Sequence, residues 1–166
     1  MSDNVYLGNP NLKKANTAIE FTEDNIREFM KCKDDPVYFA KNYVKIISLD
    51  EGLTQFEPYH FQEKLINNFH SNRFNICKMP RQTGKSTTVV SYLLHYAVFN
   101  DSVNIGILAN KAATARELLG RLQTAYENLP KWMQQGIIAW NKGSLELENG
   151  SKILAASTSA SAVRGM

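Results

Sequence analysis

"FNICKMPRQTGKSTTVVSYLLHYAVF", residues Phe74 to Phe99, decides how the rest of the chain is read. A short apolar run, Phe74 to Met79, leads into a polar turn, and the turn leads into a stretch apolar enough to be a buried helix. Strand, tight loop and helix together form the setting in which a glycine-lysine-hydroxyl tripeptide grips a phosphate. Gly84 lets the backbone approach closely, Lys85 supplies a positive charge, Ser86 offers a hydroxyl to Mg²⁺, and the first turn of the helix points free N–H groups at the anion. The common pattern G-x-x-x-x-G-K-[ST] puts a further glycine five places before Gly84, where this chain has Met79. The departure weakens the pattern match, but the flanking strand and helix support it. The expectation is therefore an ATP-binding loop contacting nucleotide through Gln82, Thr83, Gly84, Lys85, Ser86 and Thr87, with Mg²⁺ at Ser86. A surface turn with a solvated lysine is the reading it competes with.

Two side chains near the loop stay open on residue type alone. Arg81 lies three places before Gly84, where its guanidinium either stabilises charge on a terminal phosphate or pairs with a neighbouring carboxylate. Gln62 carries an amide that can match an adenine edge with one donor and one acceptor, yet a glutamine on an amphipathic helix is more often solvated.

Outward from the loop, Phe61, Leu65, Ile66 and Phe69 recur at helical spacing in "YHFQEKLINNFH". After it, "VNIGILA" reads as a buried strand and "KAATARELLGRLQTAYENLP" as a helix ended by Pro130. This alternation predicts an α/β fold with a parallel sheet and flanking helices. "GSLELENGSKILAAS" alternates on both sides of Asn149 and Gly150, a pair that favours a type I′ turn, so an antiparallel hairpin is expected to extend the sheet. Its acids Glu146 and Glu148 are expected to share one face and reach solvent. Towards the start, Thr22 is the predicted cap of a helix running to about Lys33, and Pro36 opens a second, so residues 21–55 read as a helical lid or subdomain. Residues 1–20 mix turn formers and charge and read as a loosely ordered arm, which leaves 56–166 for the loop-bearing domain.

Composition bounds the rest. The 166 residues carry a net charge of +3, with 43% hydrophobic and 21% charged side chains, which suits one globular unit and excludes a disordered or collagen-like chain. That charge is too small to announce a nucleic-acid surface, and the lysines of "NLKKAN" and "KNYVKI" read first as solvated faces. Cys32 and Cys77 have no metal-knuckle spacing and read as reduced thiols, Cys77 packed in a strand, while His60, His70 and His95 read as structural. No apolar run is long enough to span a bilayer.

"FQEKL", "PRQTGKSTT", "VNIGILANKAATARELLGRLQTAYENLP", "WNKGSLELENGS" and "AVRG", in that order, resemble the large terminase subunit of T-even-type tailed bacteriophages. A glycine-less loop of the form R-Q-x-G-K-[ST] is typical of that family's ATPase domain. The resemblance implies a P-loop NTPase-like fold and a motor that translocates viral double-stranded DNA into a capsid by ATP hydrolysis in the host cytoplasm. It also implies partners: the portal protein, the small terminase subunit and further copies in a ring. By matching position it makes Gln62 the adenine-reading residue, Arg81 and Lys85 catalytic groups acting on the phosphates, and Ser86 a Mg²⁺ ligand. The family's two acids for Mg²⁺ and water, its nuclease domain and its longer amino-terminal extension have no counterpart here. The chain is accordingly expected to be a truncated piece that needs a downstream terminase segment for turnover. The alternatives are a nucleotide-binding or partner-binding fragment without hydrolysis, and a helicase-like translocase.

Overall fold

The computed structural model describes residues 4–48 and 50–158. Two caps set the first helices. The Thr22 hydroxyl accepts from the Asn25 amide at 3.1 Å while the Asn25 side chain accepts from the Thr22 amide at 3.3 Å, opening α1 (Glu23–Asp34). The Asp35 carboxylate then takes the Val37 and Tyr38 amides, both at 2.9 Å, and Pro36 starts α2 (Pro36–Tyr43). Helices α3 (His60–Ser71), α4 (Lys85–Phe99) and α5 (Ala112–Glu127) follow the expected periodicities, and Phe29, Phe39, His95 and Phe99 pack edge-on where α1 and α2 meet α4.

The sheet is mixed. Strand β5 (Asn104–Ala109) pairs in parallel with β8 (Lys152–Ser157), and β8 runs antiparallel to β7 (Ser144–Leu147), itself antiparallel to β6 (Ile137–Trp140), in the order β5-β8-β7-β6. Ile105, Ile107, Leu145, Leu147 and Ile153 are buried in the core shared with α5, whereas Asn104, Gly106 and Leu108 face outward.

Several expectations fail here. "FNICKM" forms no strand: among the described residues no neighbouring strand runs beside it, and Phe74 and Ile76 stand 83% and 99% exposed. A strand is a partnership, and β propensity alone cannot supply the partner. The expected parallel sheet is therefore reduced to the β5–β8 pair, and Cys77, expected in a strand, borders a cavity instead. Residues 5–13, expected as a loose arm, form a hairpin of β1 (Val5–Tyr6) and β2 (Asn9–Lys13) that continues onto the sheet, where Lys14 bridges Ile137. The cause is long-range: Gln134 accepts from the Lys13 amide at 2.9 Å and donates to the Asn11 carbonyl at 2.9 Å. A second hairpin, β3 (Lys45–Ser48) with β4 (Gly52–Gln55), joins the two helices in the region read as a helical lid.

The 144–157 hairpin forms, with a different turn. Asn149 keeps a negative φ, Gly150 alone is left-handed at +81°, and the Gly150 amide returns to the Leu147 carbonyl at 3.0 Å. The Asn149 side chain is occupied elsewhere, donating to the Ala97 and Asn100 carbonyls at 2.9 and 3.1 Å and so closing the end of α4. Glu146 and Glu148 do not simply reach solvent. Glu146 pairs with Lys152 at 2.9 Å, and Glu148, past the end of β7, pairs with Lys13 at 3.0 Å and accepts from the Asn16 amide at 2.8 Å.

Candidate phosphate-binding loop and the cavities beside it

The loop turns on two left-handed residues, Gln82 at φ +62° and Gly84 at φ +71°, with Thr83 between them. Only glycine takes such an angle freely, and at Gly84 there is no room for more: a Cβ there would lie 2.3 Å from Gln62 Nε2. The Thr83 hydroxyl donates to the Pro80 carbonyl at 3.0 Å and buttresses the bend. Gly84 is also the residue from which α4 starts, and its carbonyl takes the Thr88 amide at 2.9 Å and the Thr88 hydroxyl at 3.0 Å.

The head of α4 suits an anion. It has no side-chain cap and no acidic residue in its first turn, so its leading N–H groups face outward unneutralised beside Lys85. Among the described residues Lys85, Arg81 and Ser86 have no side-chain hydrogen-bond or ion-pair partner, so the structural salt bridge that competed for Arg81 is not formed there. No group of three or more His, Cys, Asp and Glu side chains among the described residues could hold a metal unaided. A Mg²⁺ ion at Ser86 would thus have to be carried largely by the phosphates it accompanies, which is its usual habit.

Two cavities flank the loop. One, of about 660 Å³, lies between the β3–β4 hairpin, the start of α3 and the loop, and is lined by Gln62, Gln82, Thr83, Gly84 and Thr87 together with Ile46, Phe56, Tyr59 and Phe61. Tyr59 and Phe61 stack with centroids 5.8 Å apart and form an exposed aromatic wall. The other, of about 910 Å³, opens on the far side between the 72–77 segment, α4 and the β5 edge, and Lys85 lines it. The structure so gathers Gln62, Gln82, Thr83, Gly84 and Thr87 around one opening, turns Lys85 towards the next, and leaves Arg81 and Ser86 bordering neither.

Gln62 is not the solvated glutamine of the competing reading. It is buried, its Oε1 accepts from the Tyr59 amide at 2.8 Å, and its Nε2 donates to the Thr83 carbonyl at 3.1 Å. Missing from the sequence reading was the β3–β4 wall, although "KIISLDEGLTQ" carried its signal: short apolar runs on either side of an Asp-Glu-Gly turn, with Gly52 at φ +71°. Of the two lysines of "NLKKAN", Lys14 is exposed as a solvated face requires, but Lys13 is buried against Glu148.

The family model described as terminase large subunit, T4likevirus-type, N-terminal, matches residues 76–166, more than half of the chain, from the exposed segment through the loop, α4, the sheet and beyond. The chain belongs to that family of terminase large subunits.

Proposed function

We propose that this chain binds Mg²⁺-ATP at the head of α4 and serves as the nucleotide-binding part of a motor that drives viral double-stranded DNA into a capsid. Its membership of a terminase large-subunit family supports the packaging role. The observation that carries the nucleotide reading is the loop itself: Gly84 left-handed at φ +71°, directly followed by Lys85 and Ser86 at an uncapped helix start.

In this reading the α4 amides and the Lys85 ammonium hold the phosphates by charge-assisted hydrogen bonds, and the Ser86 hydroxyl ligates the cation. Gln82, Thr83 and Thr87 line the path beside them, and Gln62 offers the base edge the half of its amide not already used. Arg81 supplies positive charge where negative charge grows as the terminal phosphoryl group leaves. When bound, Mg²⁺ would neutralise charge on the phosphate oxygens. Portal protein, small terminase subunit, other copies of the chain and further terminase polypeptide are the partners this role calls for. No described helix is long and apolar enough to cross a membrane, and the host cytoplasm is the proposed place of action.

Calorimetric titration with Mg²⁺-ATP tests the reading. Lys85→Ala should weaken binding by about tenfold or more, the usual consequence of losing a charge-assisted contact worth roughly 1.5–3 kcal/mol. Equal affinity of the two proteins would remove the loop from the account.

A further inference from the structure

We infer that Gln62 is a positioning residue for the phosphate loop, its single amide clipping the loop to the start of α3. The inference rests on the nucleotide reading above for its ligand, but on the free protein for its geometry. Gln62 is 3% exposed. The partners fix the sense of its amide, because the Tyr59 N–H can only donate and the Thr83 carbonyl can only accept, which sets Oε1 on the first at 2.8 Å and Nε2 on the second at 3.1 Å. The peptide it grips lies between Gln82 at φ +62° and Gly84 at φ +71°. A left-handed glutamine is strained, and such a backbone persists only where its surroundings over-determine it. Gln62 Nε2 is one such constraint. It packs so closely on Gly84 that a Cβ there would lie 2.3 Å away.

Base-side and phosphate-side geometry therefore share one side chain. An amide with one N–H on Thr83 and one lone pair on Tyr59 retains one donor and one acceptor, so serving the loop does not use up what a base edge needs. A residue that only read the base would be irrelevant to a ligand without one. A clip is not, because it sets the loop that any polyphosphate meets.

Gln62→Met keeps the length and volume of the side chain and removes both hydrogen bonds. Two readouts apply: hydrogen exchange without ligand at the Thr88 amide, which rests on the Gly84 carbonyl at 2.9 Å and so reports on the loop, and calorimetry with Mg²⁺-tripolyphosphate, which has no base. The expected result is about fivefold faster exchange at Thr88 and a similar loss of tripolyphosphate affinity, the factor matching a net hydrogen bond of ~1 kcal/mol. Unchanged Thr88 exchange and unchanged tripolyphosphate affinity, with ATP alone bound more weakly, would overturn the clip and leave Gln62 a base reader. If the unaltered protein bound neither ligand, the nucleotide reading would fall, while the exchange data would still decide the clip. Should Gln62→Met not fold, Gly84→Ala approaches from the other side. Its added methyl evicts Nε2, so the Tyr59 amide, on a different element, should exchange several-fold faster; an unchanged Tyr59 amide would overturn the inference equally.

Discussion

His95 sits on α4 with Nε2 on the Cys32 carbonyl at 2.9 Å and a buried Nδ1 that has no partner among the described residues. Burial pushes its pKa down to about 4, the Cys32 carbonyl opposing and His70 adding to the fall. The folded protein therefore keeps His95 neutral, while the unfolded chain takes up a proton below its ordinary value near 6.5. Stability should be full above that value and decline as pH falls from there towards 4, by roughly 2–3 kcal/mol in all. Glu148 adds its own loss only lower down. Burial raises its pKa, but the Gly136 and Asn16 amides and Lys13 outweigh burial and hold it below the usual carboxylate range. Urea unfolding at a series of pH values should show the decline between 6.5 and 4.5, and His95→Phe should flatten that part of the curve; an equally steep curve in the variant would assign it elsewhere. Arg81 is a different kind of residue, exposed and without an ion pair among the described residues. Arg81→Ala should move stability by no more than about 0.5 kcal/mol. In an actively hydrolysing motor assembly it should lower kcat far more than ATP affinity, and a rise in KM at constant kcat would contradict that role. Residue type and position left Arg81 and Gln62 open, and it was the family resemblance that singled them out. What no local reading could give was the Gln62 contact with Thr83, because the two lie on separate elements that only folding brings together.

At the scale of elements, the helices were legible and the strands less so, for a physical reason. Thr22, Asp35 and Pro36 announce α1 and α2 through contacts a few residues apart, and the same locality made α3, α4 and α5 readable. The 74–79 run has every local mark of a strand and lacks a neighbour, whereas the β1–β2 hairpin has weak local marks and is fixed by Gln134 and Glu148, more than a hundred residues away in sequence. The ion pair of buried Lys13 with half-buried Glu148 is one tie of that hairpin to the rest of the molecule. Lys13→Met should cost about 2 kcal/mol, since it leaves a half-buried carboxylate without its cation, and denaturant unfolding should register it. The exposed run makes the opposite claim. Phe74 and Ile76 contribute almost nothing to the core, so replacing both with serine should leave the melting temperature within a degree or two and reduce light scattering at high concentration. A marked fall in melting temperature would show that the run packs after all.

Over the whole molecule, the groups that would grip a nucleotide and those that would cleave it are unequally represented. The cavity that Lys85 lines has no carboxylate among its lining residues, Glu146 and Glu148 are held by Lys152 and Lys13, and Glu51 and Glu57 line the other cavity, the one that Gln62 borders and Lys85 does not. Phosphoryl transfer to water needs an acid to orient the water and another to hold the cation. Phosphate release by this chain alone should therefore be no faster than that of Lys85→Ala; brisk release that Lys85→Ala abolishes would show that acids of this chain suffice. The sheet is lopsided in a related way. At β6 the segment after β2 lies alongside, with the Lys14 bridge to Ile137 and the Ala15 amide on the Ile137 carbonyl at 3.3 Å, while the outer edge of β5 has no strand beside it among the described residues. Of the two rims of this four-stranded sheet, the β5 rim is the more readily lengthened: an incoming strand there would find backbone donors and acceptors along its length, whereas at β6 it would first have to displace the chain at Ile137.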